Sequence, residues 1–159
     1  MSSAQVQTRP RRKRIRLPIP DYRTPGAWYF LTICCKGKKP LFHKSEVRTL
    51  VVGVLRETAQ CHKIEVAGYT VLPDHLHLIC SAGRAGIIAF VRHFKGRVAA
   101  EMRKSFGTRT LWQGSFFDRK LRSEESLREK CIYVWQNPVR RGLVEKSEDY
   151  AWSGSLRTG

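Results

Sequence analysis

Acidic residues are scarce in this chain of 159 residues. Thirteen Asp and Glu stand against thirty Lys and Arg, which leaves a formal net charge of +17. Such an excess of one sign causes self-repulsion unless a polyanion compensates it. Nucleic acid is therefore the first candidate partner, and a membrane surface is the alternative polyanion.

Long hydrophobic runs are also missing. No apolar stretch reaches the ~18 residues that a membrane-spanning helix needs, and neither end carries a lipidation motif. The basic N-terminus is not followed by the apolar segment of a secretory signal. We therefore expect no membrane partner.

Paired cysteine motifs are absent as well. Four of the five cysteines lie in apolar surroundings, where a reduced thiol behaves as a small hydrophobe. No two of them form a CxxC pair, so zinc-finger and redox-motif interpretations are weak. We expect a reduced, cytoplasmic protein, and its basic charge suggests association with the nucleoid. The five are Cys34, Cys35, Cys61, Cys80 and Cys131.

The chain does contain enough apolar material for one domain. Hydrophobic residues make up 42% of it and aromatic residues 10%, as in globular proteins. We expect a flexible basic arm over residues 1–23 and one folded domain over residues 24–159. A solvated tail is the alternative interpretation of the arm. Its candidate nucleic-acid contacts are Arg9, Arg11, Arg12, Lys13, Arg14 and Arg16.

Hydrophobic periodicity predicts an α+β fold. The alternation of strands and helices indicates an antiparallel sheet with helices mainly on one face. Predicted strands cover residues 27–35, 65–72, 75–80 and 110–121, the last with an irregularity at Gly114. Predicted helices cover 45–61, about 86–104, and a final helix from the cap Ser123 to Pro138, where proline should end it.

Two histidines stand in the stretch VLPDHLHLIC, residues 71–80. On a strand, His75 and His77 project from one face, and residues two apart stand about 7 Å apart along the chain. Two neutral imidazoles at that spacing can converge on one metal ion. A pair of satisfied structural histidines is the alternative. Asp74 is expected to point to the opposite face.

The final helix carries a tyrosine outside its apolar stripe. Tyr133 lies roughly 120° from the middle of that stripe, beside Lys130 and Arg140. Asn137 follows Tyr133 at i+4 and shares its face, so its amide oxygen is a candidate third metal ligand. Pro138 disfavours helical backbone at Asn137 and can distort this spacing.

Together these motifs resemble those of one transposase family. The segments PDHLHL, WQGSFFDRKLR, YVWQNPVRRGLV and YAWSGS are similar to the REP-associated tyrosine transposases, within the HUH-type single-tyrosine transposases. The resemblance runs from about Tyr29 to Ser155. Two positions depart from it, because Arg119 stands where relatives often carry histidine and Arg141 where alanine is common.

The resemblance implies a function and a site. His75 and His77 match the metal ligands, Asn137 the polar third ligand and Tyr133 the nucleophile. The enzyme would be a metal-dependent endonuclease and strand transferase, using Mg²⁺ or Mn²⁺ and a 5′-phosphotyrosine intermediate. Its substrate would be single-stranded DNA near hairpins of the repetitive extragenic palindrome type, and it would act as a monomer or homodimer. The implied fold is a ferredoxin-like sheet, the HUH endonuclease fold, with the histidine strand near its centre.

Positive side chains around this site are candidate DNA contacts. Besides the arm, they are Lys95, Arg119, Lys130, Arg140 and Arg141. Trp112, Phe116 and Phe117 are candidates for base stacking, with core packing as the alternative.

Three other functions remain open at this level. One is a module that holds structured nucleic acid without cutting it. Another is a different HUH enzyme, such as a relaxase or replication initiator, although those usually carry further domains or histidines. The third is a zinc hydrolase, which needs a carboxylate base near the histidines.

Overall fold

The structure, a computed structural model, describes residues 22–24 and 26–157. Its strands are β1 (Trp28–Cys34), β2 (Val66–Val71), β3 (His75–Ser81), β4 (Phe117–Leu121) and β5 (Ser153–Leu156). Its helices are α1 (Ser45–His62), α2 (Gly86–Phe106) and α3 (Glu124–Arg140). The basic arm expected over residues 1–23, with the six cations named above, lies outside the described residues except at its last two positions.

The strands form one antiparallel sheet in the order β4-β1-β3-β2-β5. The first four strands, with α1 and α2 between them, follow the β-α-β-β-α-β arrangement of ferredoxin-like folds. The histidine strand β3 is the middle strand of the five. The predicted α+β class and the central position of this strand are confirmed.

The two faces of the sheet bury different helices. One face packs against α1 and α2 through a large apolar core that includes Leu31 and Leu78. The other face packs against α3 through a smaller cluster that includes Ile79 and Val134. Two of three helices therefore share a face, and α3 covers the face toward which His77 points.

Gly68 lets α3 approach the sheet closely. A Cβ at this position would stand 3.3 Å from the sulfur of Cys131 and 3.6 Å from the ring of Trp135, both on α3. The indole of Trp135 also donates a hydrogen bond to the carbonyl of Gly154 on β5, at 3.0 Å. These contacts fix how high α3, with Tyr133, stands above the sheet.

The fourth strand is shorter than the sequence predicts. Only Phe117–Leu121 is a strand, and residues 110–116 form a connection that makes a single bridge between Trp112 and Cys35. The indole of Trp112 donates to the carbonyl of Lys95 at 2.9 Å and its ring contacts Phe42. Packing against α2 thus interrupts regular strand pairing in this segment, which stays bonded to the end of β1 because Gln113 N donates to Cys34 O at 3.0 Å.

The final helix does not stop at Pro138 but continues to Arg140. Proline removes only one intrahelical donor, and the next amides are satisfied because Arg141 N donates to Asn137 O at 3.0 Å and Leu143 N to Pro138 O at 2.9 Å. Pro138 is also buried. The i,i+4 relation of Tyr133 and Asn137 is therefore kept.

Two further findings bear on the composition arguments. The five cysteines, all within the described part of the chain, are unpaired. Among residues 22–24 and 26–157, no helix is both long and apolar enough to span a bilayer.

Candidate catalytic site

The two histidines of β3 converge, as their alternation on the strand predicts. His77 stands opposite Thr32 of β1 and is 7% exposed, on the sheet face that α3 covers. The Nε2 atoms of His75 and His77 are 3.1 Å apart, with the rings at 83° to one another. Both imidazoles therefore direct the same ring atom to one point.

A hydrogen bond to the opposite ring nitrogen selects the tautomer of His75 and is compatible with the same tautomer of His77. Nδ1 of His75 lies 2.7 Å from Oδ1 of Asp74, and Nδ1 of His77 lies 3.0 Å from Oγ1 of Thr32. A carboxylate accepts only, so the proton of His75 is on Nδ1, and the same assignment for His77 gives its proton an acceptor. Each Nε2 is then left with a lone pair, which is the form of histidine that binds metals.

Burial keeps both imidazoles neutral. Desolvation, followed by the neighbouring His75 and the arginines at 140 and 141, lowers the pKa of His77 to about 3. Desolvation also lowers the pKa of His75, although Asp74 acts in the opposite direction. At neutral pH both side chains are available as ligands rather than as cations.

The residues present fit a divalent cation. Two ligands in adjacent positions of an octahedral ion, each at about 2.1 Å, stand about 3.0 Å apart, close to the 3.1 Å between the two Nε2 atoms. Two lone pairs at that distance repel one another unless a cation or a proton lies between them. Asn137, one turn beyond Tyr133 on α3, is 8% exposed and supplies an amide on the same side of the sheet.

Tyr133 stands beside this pair. Its ring centroid is 6.2 Å from that of His77 and 6.2 Å from that of Phe30, which itself stacks on His77 at 5.4 Å. The side chain is 43% exposed. The structure thus brings together a phenol from α3 and two imidazoles from β3 that are separated by more than fifty residues of chain.

Two cations flank the tyrosine ring. The Nζ atom of Lys130 lies 5.1 Å from the ring centroid, and the guanidinium carbon of Arg140 lies 4.3 Å from it. Arg140 also donates to the main-chain carbonyl of Tyr133 at 2.6 Å, which fixes the guanidinium over the ring. Positive charge at these positions favours a phosphate or a developing phenolate at the exposed edge of the ring.

Asp74 does not point away from the histidines, and the expectation that it would is wrong. The residue lies in the turn before β3 rather than on the strand, so strand alternation does not apply to it. Its Oδ1 accepts from His75 and, at 2.7 Å, from Nη1 of Arg141. Burial opposes ionisation of this carboxyl, but the hydrogen bonds from Arg141 and His75 lower its pKa below the ordinary value.

Arg141, a candidate DNA contact, also makes an interaction that the sequence does not predict. With its side chain 39% exposed, it pairs with a carboxylate that orients a candidate metal ligand. The other departure from the resemblance, Arg119, is exposed on β4 opposite Phe30. Directly opposed residues of paired strands share a face, so Arg119 lies on the same sheet face as His77.

An exposed aromatic edge extends this face. Phe117 of β4 stands opposite Thr32, which stands opposite His77, so all three share one face and one row across the sheet. Its side chain is 58% exposed. Lys95 is not brought to this face, because it lies on α2 and donates to the carbonyl of Gln113 at 2.9 Å.

Sequence reasoning missed Phe30, Thr32 and the bonding of Asp74. Phe30 and Thr32 alternate in the strand AWYFLTICC, where the threonine in an apolar run is the only local signal. That signal becomes informative only when β1 is known to pair with β3 in the observed register.

Comparisons with known proteins agree with this architecture. Residues 24–134 match the family described as Transposase IS200 like. A REP-associated tyrosine transposase of Escherichia coli K12 is 24% identical over 136 residues, covering 83% of this chain and 78% of that protein. An uncharacterised protein of Haemophilus influenzae is 26% identical over 160 residues, covering 80% of this chain and 88% of that protein.

A solved structure shares the fold. The structure of a REP-associated tyrosine transposase bound to a REP hairpin is similar with a TM-score of 0.71 at 21% identity, covering 83% of this chain and 78% of that one. The resemblance derived from PDHLHL and YVWQNPVRRGLV is thereby confirmed. Because the family match spans more than half of the chain, the protein belongs to the IS200-like transposases.

Proposed function

We propose that this transposase is a single-stranded DNA endonuclease and strand transferase that uses Tyr133 as its nucleophile, with His75, His77 and Asn137 holding a Mg²⁺ or Mn²⁺ ion. The observation that carries the proposal is the convergence of the Tyr133 ring, 6.2 Å from the ring of His77, with two Nε2 atoms 3.1 Å apart. When bound there, the divalent cation would act as a Lewis acid that polarises the phosphate to be attacked.

The chemistry assigned to the chain's own residues is a transesterification. The phenol oxygen of Tyr133 attacks the phosphorus and loses its proton, while the bond from phosphorus to the 3′-oxygen breaks and that oxygen takes up a proton. The products are a 5′-phosphotyrosine and a free 3′-OH. The reverse reaction with another 3′-OH rejoins the strand without ATP, because the bond energy is conserved in the covalent link.

The side chains around Tyr133 position the substrate in this proposal. Lys130 and Arg140 hold a phosphate at the exposed edge of the ring. The Nζ atom of Lys130 lies 5.1 Å from the ring centroid, and the guanidinium carbon of Arg140 lies 4.3 Å from it. Arg119 and Phe117 extend the surface along β4, as a cation for the backbone and a platform for one base. An unpaired strand follows such a surface more easily than a duplex, in which pairing obstructs close approach of one phosphate to the phenol.

A hairpin of the repetitive extragenic palindrome type is the substrate that we propose. The support is the similarity to an E. coli REP-associated transposase and to a solved relative bound to a REP hairpin. The arm cations Arg9, Arg11, Arg12, Lys13, Arg14 and Arg16, together with Lys95, contact DNA backbone outside the reaction centre. We place the protein, as a monomer or homodimer, in the cytoplasm with the nucleoid.

Substitution of Tyr133 by phenylalanine tests the nucleophile. With a labelled hairpin strand and Mn²⁺, the wild-type chain is expected to give a covalent protein–DNA band on a denaturing gel. Tyr133→Phe removes only the hydroxyl, so it should abolish that band while retaining DNA affinity in a gel-shift assay. Chelation of the metal with EDTA should abolish the band as well.

The other outcomes distinguish the rival functions. DNA retention without a covalent product from the wild-type chain would favour a pure binding module. Cleavage that survives Tyr133→Phe would favour a hydrolase. A hydrolase that used Asp74 as its base would rely on a weak one, because the hydrogen bonds from Arg141 and His75 lower the pKa of that carboxyl.

A further inference from the structure

A second group of metal-ligating side chains lies on the other side of the sheet. Cys61 and His62 end α1, and His93 lies in the middle of α2. Their ligand atoms all lie within 4.8 Å of one another, and Nε2 of His62 is 2.9 Å from Nδ1 of His93. Within residues 22–24 and 26–157 this is the one group of three or more such side chains.

The scaffold under these side chains is rigid. The ring of His62 packs on the fully buried ring of Phe90 at 5.8 Å. One turn away, Glu57 of α1 and Arg97 of α2 form an ion pair at 2.5 Å, so a second contact joins the two helices beside the cluster. Gly83 approaches the main-chain carbonyl of His62 so closely that a Cβ there would stand 2.5 Å from it.

The donor set is that of a thiophilic cation. One thiolate and two imidazoles suit Zn²⁺, whereas Mg²⁺ prefers oxygen ligands. Three protein ligands with a fourth position for water is a common zinc arrangement. A thiolate also offsets part of the positive charge that a cation would add to a chain of net charge +17.

The distances need little change to reach tetrahedral geometry. Two nitrogens at about 2.0–2.1 Å from Zn²⁺ stand roughly 3.3 Å apart, and a sulfur at about 2.3 Å stands roughly 3.6 Å from each. The two nitrogens are 2.9 Å apart, and the sulfur lies within 4.8 Å of both. Cys61 is exposed, so rotation of its side chain can supply the remaining closure of about 1 Å.

We propose that Cys61, His62 and His93 form a zinc site that joins the end of α1 to α2. This site is separate from the β3 histidines, because α1 and α2 cover the opposite face of the sheet. The unfolded chain does not hold these three side chains together. A cation that binds them in the folded chain therefore stabilises the fold. The proposal does not depend on the proposed cleavage reaction.

Cobalt absorption tests the site in a chain that lacks the other histidine pair. Co²⁺ added to the double variant His75→Ala/His77→Ala should give a thiolate-to-cobalt charge-transfer band that Zn²⁺ removes by displacement. Adding Cys61→Ser should abolish the band, and adding His93→Ala should weaken cobalt affinity at least tenfold. The matched controls Cys131→Ser and His43→Ala, which remove a cysteine and a histidine elsewhere, should leave the band unchanged.

Thermal unfolding gives a second readout. Zn²⁺ should raise the melting temperature of the His75→Ala/His77→Ala chain, and the rise should disappear with His93→Ala. The single variant Cys61→Ser should form the covalent DNA product of the full chain as well as the wild type does. Absence of the charge-transfer band, or its persistence after Cys61→Ser, would overturn the zinc site and leave the DNA reaction unaffected.

Discussion

At the scale of single residues, the geometry of the site depends on a carboxylate that is neither the proposed nucleophile nor a proposed metal ligand. Asp74 accepts hydrogen bonds from His75 and Arg141 through one oxygen, at 2.7 Å each. It thereby fixes the ring orientation and tautomer of a candidate metal ligand. Carboxylates that orient a ligating histidine in this way strengthen metal binding.

We expect Asp74→Asn to weaken Mn²⁺ binding by about 10- to 100-fold, the usual effect of losing such a partner. The amide keeps the shape of the carboxylate but loses the charge that holds Arg141. Isothermal titration with Mn²⁺ measures the change, and Glu145→Gln, an exposed acid elsewhere, is the matched control. Equal affinities for the two variants would show that Asp74 has no such role.

The exposed ring of Phe117 leads to a prediction about DNA binding rather than metal binding. Its side chain is 58% exposed on the same face as His77, and stacking on one base is worth about 1–3 kcal/mol. Phe117→Ala should therefore weaken binding of single-stranded DNA by that amount in a fluorescence-anisotropy titration. Phe106→Ala removes an equally simple aromatic, 40% exposed at the end of α2, and should have little effect. A larger loss from Phe106→Ala would contradict this assignment.

At the scale of elements, the distance between Tyr133 and the histidines depends on how closely α3 approaches β2. Gly68 makes this approach possible, because a Cβ there already meets Cys131 at 3.3 Å. The effect is one of space and not of backbone strain, since Gly68 is not among the glycines with positive φ.

Gly68→Val should raise α3 from the sheet and move Tyr133 away from His77. Overpacking of this kind costs about 1–3 kcal/mol of unfolding free energy, and the covalent DNA product should fall more steeply than DNA affinity. Gly53→Ala is the control, because its Cβ meets nothing within 4 Å in α1 and alanine should add about 0.5–1 kcal/mol of stability. Full cleavage activity in Gly68→Val would mean that the height of α3 does not set the reaction geometry.

Local patterns predicted the elements that carry the site better than the contacts between them. The alternation around His75 and His77 and the position of Tyr133 outside an apolar stripe are properties of one element each, so the sequence reveals them. The sequence does not predict the edge strand Ser153–Leu156, because its four residues, SGSL, show no alternation of polar and apolar side chains. The shortening of β4 and the bonding of Asp74 depend on packing with distant residues, Lys95 and Arg141 among them.

At the scale of the whole molecule, positive charge is the dominant feature. The chain has thirty Lys and Arg against thirteen Asp and Glu. When such side chains neutralise phosphates, counterions are released from the DNA, and this release contributes a large part of the binding free energy. The expected division into a basic arm over residues 1–23 and a domain over 24–159 assigns part of that affinity to the arm. The arm contains six Lys and Arg between Arg9 and Arg16.

Deletion of residues 1–21 tests the arm. For single-stranded DNA, each phosphate contact contributes about 0.7 to the slope of the logarithm of the association constant against the logarithm of salt concentration. We expect the shortened chain to have a shallower slope than the full chain, and to retain covalent product formation at low salt. An unchanged slope would mean that the arm is a solvated tail without DNA contacts.

The central claim is that Tyr133 forms a covalent bond to DNA at a site organised by His75 and His77. Mass-spectrometric mapping of the peptide that carries nucleotide, after incubation with a hairpin-bearing single strand and Mn²⁺, tests it most directly. The account predicts a nucleotide adduct on Tyr133 that is absent from His75→Ala/His77→Ala and from reactions with EDTA. An adduct on a different residue, or one on Tyr133 that forms equally well without the histidines and the metal, would contradict it.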